Sequence, residues 1–193
     1  MEVVSHPKGK RLGGRSARIN EAVLTATFQL LAEAGLKNFS IRAVSARANV
    51  HETSIYRRWG TPQSLILEAC LHFMENAIPI EDTGSLRSDL VAISKRAMAT
   101  LGGPQGKAVL ALIRLADEKS LGAKRQYWQT RFRRLQPIFD RAISRGEFPG
   151  DADPVILLQT LIAPFYFRLL VTAEKLDDWP IVEQIDRLLS GYR

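Results

Sequence analysis

The stretch that most restricts this chain is residues 36–66, LKNFSIRAVSARANVHETSIYRRWGTPQSLI. Two short helical segments are legible in it, Ser40 to Ala48 and Glu52 to Trp59, joined at Asn49-Val50. Ser40 is a hydroxyl placed to cap the first segment by accepting a backbone N–H bond. Asn49 is, after glycine, the residue best able to hold the positive φ of a sharp turn. Ile41, Val44 and Ala48 recur at three and four, so the first segment has one buried face; Ile55 and Trp59 do the same for the second. That leaves Thr53, Ser54, Tyr56, Arg57 and Arg58 largely outside. Hydroxyls, a phenol and two guanidinium groups suit phosphate oxygens and base edges. The pattern is that of a helix-turn-helix, although two helices and a turn are equally an ordinary helical hairpin with a solvated basic face.

Charge separates those readings. Residues 1–60 hold ten Lys/Arg and four Asp/Glu, a balance of +6, whereas the remaining residues hold seventeen and sixteen, a balance of +1. A polyanion therefore meets the N-terminal third. Residues 1–16 read as a flexible basic arm, with Lys8, Lys10, Arg11 and Arg15 among glycines; the arm either reaches DNA or is a loose terminus. The single cysteine, Cys70, rules out an internal disulfide framework and a multi-cysteine zinc site. No apolar run follows the basic N-terminus as a secretory signal requires, and a cytoplasmic location is expected.

The rest of the chain is helical in period. Ile19, Ala22, Val23, Ala26, Leu30 and Ala34 mark a helix from Ala17 to Ala34, stopped by Gly35. Thr61 caps a fourth helix with Pro62 in its first turn. Further helices are expected from Ser85, around Val109 to Ala116, from Ala123 to Arg145 with a bend at Pro137, from Pro154 to near Glu174, and over Ile181 to Leu189. The fold class is all-α with about nine helices. The expected organisation is the arm at 1–16, a three-helix helix-turn-helix domain at 17–62 and a helical domain at 63–193. Val155 to Val171 is apolar on every side, so it must be buried. It is too short, too charged and too interrupted by Pro164 for a comfortable membrane span, and a subunit interface is the better cover.

With these helices placed, the sequence from about Arg18 to Phe73 resembles the TetR family of transcriptional regulators. Gly35 matches the glycine closing the first helix, Phe39-Ser40 the start of the second, and Val44, Ala48 and Val50 its apolar and turn positions. Ser54-Ile55-Tyr56 matches the hydroxyl–apolar–tyrosine run of the recognition helix, Trp59 an aromatic position and Leu65 a leucine of the fourth helix. Four positions depart: Asn49 for the usual glycine, Ser45 for alanine as a small-for-small change, His51 for a serine cap, and Pro62 for a phosphate-binding lysine. The resemblance implies a homodimer through the last two helices, about 154–174 and 180–190. Each subunit would present one recognition helix to a palindromic double-stranded DNA operator, in major grooves roughly 34–36 Å apart. Tyr56, Ser54 and Arg42 are expected on phosphates, Thr53, Arg57 and His51 on base edges, and Arg58 beside them.

The resemblance also implies a small-molecule effector, of unknown identity, enclosed by the C-terminal helices. Candidate linings are His72, Met98, Tyr127, Trp128, Phe132, Phe165 and Arg168; the aromatic residues serve equally as core. Arg168, costly if unpaired on an apolar helix, is expected to pair with an Asp such as Asp186 at the dimer interface, or to meet an anionic effector. No cofactor or metal is expected, and no enzyme. Gly102 to Lys107 fails the phosphate-loop pattern at both ends, and three histidines without a nucleophile elbow support no hydrolytic site. The function so read is a transcriptional regulator, a repressor released by its effector. The alternative is a dimeric small-molecule- or partner-binding protein with incidental DNA contact.

Overall fold

The computed structural model describes residues 14–114 and 118–192. Within them are nine α-helices and no strand. They are α1 (Gly14–Ala34), α2 (Ile41–Ala48), α3 (Glu52–Trp59), α4 (Pro62–Ala77), α5 (Leu86–Gly102), α6 (Gly106–Arg114), α7 (Glu118–Ser144), α8 (Pro154–Phe167) and α9 (Ile181–Ser190), with a 3-10 turn at Leu36–Asn38 and a π-helical turn at Arg168–Thr172. The expected basic arm lies outside the described residues up to position 13, and Gly14 to Ser16 already belong to α1. Helix α7 begins at Glu118, five residues earlier than its apolar stripe announces, and continues through Pro137.

Capping decides where several helices start. Ser40, Thr61 and Ser85 accept from the backbone N–H groups of Ala43, Ser64 and Ser88, and Asp153 from Val155, satisfying donors that a helix start leaves free.

Helix α1 packs on α2, α4 and α6, and α4 on α7; α5 meets α6, α7 and α9, while α8 lies between α7 and α9. Because α1 is covered from more than one side, its buried face is wider than one stripe. Val23, Leu24, Ala26, Thr27, Phe28 and Leu31 are buried, whereas the expected Ile19, Ala22 and Ala34 are exposed. Thr27 is tolerated inside because its hydroxyl donates to the Val23 carbonyl at 2.8 Å. Cys70, also buried, donates to the Ala108 carbonyl; burial pushes its thiol up to about 12, so it stays neutral and unreactive.

The α4–α5 connection is fastened to α7 by charge. Asp89, 1% exposed, accepts from the Thr83 backbone N–H and hydroxyl at 2.7 and 2.6 Å. Arg141 Nη2 lies 3.5 Å from it and Arg145 Nη2 4.0 Å, and both arginines reach Asp82. The N–H of Gly84, foremost, holds the Asp82 carboxyl below the usual carboxylate range; desolvation opposes it, and Arg141 and Arg145 add to the lowering.

Helix α8 and its π turn leave Ile156, Phe167 and Val171 exposed at 58%, 55% and 68%, on the same side as Ala163. Pro154–Thr172 has the length and hydropathy of a membrane span, and little of it is buried within the chain. Val182 of α9 is exposed as well.

Candidate nucleic-acid interface

The turn between α2 and α3 is built from three residues. Asn49 takes left-handed geometry, φ 53° and ψ 50°, and ends α2 with its N–H on the carbonyls of Ala46 and Ser45. The Val50 N–H donates to the Ser45 carbonyl at 3.1 Å, and the Ser45 hydroxyl donates back to the Val50 carbonyl at 2.6 Å. Ser45 is thus a clasp across the turn and not the neutral small residue that its position suggests. His51 begins α3 in extended geometry, makes no side-chain cap and is exposed.

Helix α3 is seated by Ile55 and Trp59, 1% and 8% exposed. Trp59 Nε1 donates to Glu68 Oε2 at 2.7 Å, which fixes α3 to α4 by a charge-assisted bond in a part-buried site. Glu68 carried no signal in the sequence, since nothing in its spacing marks it as the partner of an aromatic nine residues away. Seating α3 on Ile55 and Trp59 turns Thr53, Tyr56 and Arg57 outward on one face, at the three-and-four spacing that a groove reads. Tyr56 is 48% exposed. Ser54 is half-buried and, with His51, Arg57 and Arg58, borders a groove of about 840 Å³ whose other wall is Ser16 and Ile19 of α1. Arg58 lies 5.3 Å over the Trp59 ring, covering the lock from solvent. Arg42 is exposed on α2.

The proposed effector-pocket residues do not form one set. His72 stands apart on α4, paired with Glu21 of α1 at 2.9 Å. Met98 packs against the core. Tyr127 and Phe165 are fully buried, and burial pushes the Tyr127 and Tyr166 hydroxyls above their ordinary range, so both stay neutral. Trp128, Phe132 and Phe165 surround a cavity of about 50 Å³ between α5, α7 and α8, with Ser94 on its wall. That is room for a water molecule or two. Trp128 and Phe132 also face a much larger groove between α7 and α8, of about 870 Å³. Within its own chain Arg168 is held by other partners than Asp186. It donates to the Lys175 carbonyl and Asp178, pairs with Glu174 at 3.1 Å and stacks over Trp179. The π turn explains this, because it carries the chain back over Arg168 within six residues. Asp186 is held by Arg87 of α5 through two bonds, 2.6 and 2.9 Å.

No group of three or more metal-ligating side chains occurs among the described residues.

Residues 23–69 match the family described as bacterial regulatory proteins, tetR family, and residues 80–188 match the tetracyclin repressor-like C-terminal domain. The HTH-type transcriptional regulator AqdR of Rhodococcus erythropolis is 32% identical over 155 residues, 79% of this chain and 75% of that protein. The DNA-binding transcriptional repressor TetR of Mycobacteroides abscessus is 28% identical over 172 residues, 87% of this chain and 90% of its own. In three dimensions the chain is similar to the TetR family transcription regulator SCO0332, with a TM-score of 0.77 and 27% identity over 91% of this chain and 99% of that one. A helix-turn-helix with an outward polar face, an all-helical arrangement of the described residues and two family matches that together span most of the chain converge: this protein belongs to the TetR family of DNA-binding transcriptional regulators.

Proposed function

We propose that this regulator is a cytoplasmic, homodimeric repressor that binds a palindromic operator through α3 and leaves it when a small effector binds the C-terminal helices. The observation that carries the reading is the seating of α3. Ile55, Trp59 and the bond to Glu68 hold the helix so that Thr53, Tyr56 and Arg57 face outward together. Thr53, Arg57 and His51 are assigned to base edges, and Tyr56, Ser54, Arg42 and Arg58 to phosphates. The exposed apolar stripe on α8, with Val182 of α9, supports dimerisation through the last two helices, since a monomer rarely leaves such a patch bare. Effector release is then a shift of population toward a dimer whose two α3 helices no longer match the half-sites.

Two variants test the assignment. Arg57→Ala should cost about 1–3 kcal/mol at the operator and relax preference at one base pair. Arg42→Ala should weaken all sequences alike and make the salt dependence shallower by about one unit of slope. If Tyr56→Ala and Arg57→Ala proteins that fold and dimerise still bound the operator as tightly as the parent, α3 would not be the reading element. The rival account, a dimeric ligand- or partner-binding protein with incidental DNA contact, would then stand.

A further inference from the structure

The arginines of α7, with Arg145 just past its end, divide into two groups. Arg131 donates to the Met74 carbonyl, Arg134 pairs with Glu75, and Arg141 and Arg145 surround Asp82 and Asp89. These four hold the fold together. Arg125 and Arg133 make no hydrogen bond or ion pair among the described residues, and both line the same groove of about 870 Å³ between α7 and α8. They lie eight residues apart, which places them about 12 Å apart along one face at 1.5 Å per residue. Gln129 stands between them, and Gln159 faces them from α8.

Apart from Gln136, the rest of the groove is apolar. Trp128, Phe132 and Ile162 line it, and the same three residues wall the small cavity between α5, α7 and α8. An occupant of the groove therefore bears directly on the core. A volume of this order is that of a site for a drug-sized molecule, in which an apolar lining supplies affinity and a few polar groups fix orientation. Two guanidinium groups with no partner among the described residues face a largely apolar cleft, and no acid among the described residues lines it, so the cleft selects a negative charge.

We propose that the α7–α8 groove binds an amphipathic organic anion, its apolar body against Trp128, Phe132 and Ile162 and its carboxylate, sulfonate or phosphate on Arg125 and Arg133. This names the chemical class of the effector and rests on the reading of the protein as an effector-responsive regulator.

The test uses two dyes of one skeleton on the full-length protein without DNA. 1-Anilinonaphthalene-8-sulfonate carries a sulfonate, and N-phenyl-1-naphthylamine carries no charge. In the R125Q/R133Q variant the sulfonate dye should bind about tenfold more weakly or worse, while the neutral dye binds as before. A K107Q/K175Q variant, which removes the same charge from exposed sites elsewhere, should change neither. An unchanged affinity for the sulfonate dye in R125Q/R133Q would overturn the proposal, as would equal loss of both dyes. So would dissociation of the R125Q/R133Q dimer in sedimentation velocity, because the arginines would then belong to the subunit interface. Operator binding is measured separately on the same variant, which leaves α3 untouched. Failure of the groove with operator binding intact thus differs from failure of the regulator reading itself.

Discussion

Asn49 and Ser45 show how much a turn of two residues asks of single side chains. Asn49 sits at φ 53°, where a Cβ is ordinarily unwelcome and a short polar side chain is tolerated. Asn49→Ala should destabilise the protein by about 1 kcal/mol, and Asn49→Gly should fold at least as well, both read by urea denaturation. Ser45→Ala removes the hydroxyl that clasps the Val50 carbonyl and should cost about 1 kcal/mol as well. If Ser45→Ala were neutral, the 2.6 Å bond would contribute nothing to the turn. Asn49 was legible in the sequence because backbone preference is local. Ser45 was not, because its partner five residues on is set by the path of the turn. The within-chain partners of Arg168 were hidden for the same reason on a larger scale. Its need for counter-charge was legible, but Glu174 and Asp178 reach it through a π turn that no spacing announces.

Among the elements, those with one buried face were legible and those gripped from several sides were not. Helices α2 and α3 bury Ile41, Val44, Ile55 and Trp59, in the faces their periods predict. The period of α1 points to Ile19 and Ala34, yet contact with α2, α4 and α6 rotates and widens its buried face toward Leu24, Phe28 and Leu31. The salt network between the α4–α5 connection and α7 was invisible in the sequence, since Asp89 and Arg141 are 52 residues apart. It has a pH signature. Asp82 titrates below its ordinary value in the fold, so its contribution to stability is fully present above the usual carboxylate range and is lost as pH falls through the depressed value. A comparison of Tm for the parent and Asp82→Asn should therefore show a gap at neutral pH that closes below about pH 4. A gap that stayed constant down to pH 3 would contradict the charge account of this joint.

At the scale of the molecule, the protomer carries two surfaces that need partners of opposite character. One is the polar, basic face of α3; the other is the apolar stripe of Ile156, Ala163, Phe167 and Val171. The charge asymmetry and the long apolar run made both legible in the sequence. The groove between α7 and α8 was not, because α7 reads alone as a helix with a basic back, and only the fold separates the arginines tied to neighbouring elements from those that line the groove. Phe167→Glu places a charge in the middle of the stripe. It should shift the protein from dimer to monomer in sedimentation velocity without lowering helix content, and operator affinity should fall with it, since two half-sites can no longer be held at once. A variant that stayed dimeric would place the interface elsewhere.

The central claim, that two α3 helices held by one dimer read a palindrome, is tested most directly by footprinting the purified protein on the DNA flanking its own gene at two salt concentrations. A two-fold symmetric footprint with half-sites one helical turn apart, persisting at the higher salt, is the predicted result. Weak binding that collapses steeply with salt and protects no defined site would contradict it, because charge alone would then hold the protein to DNA.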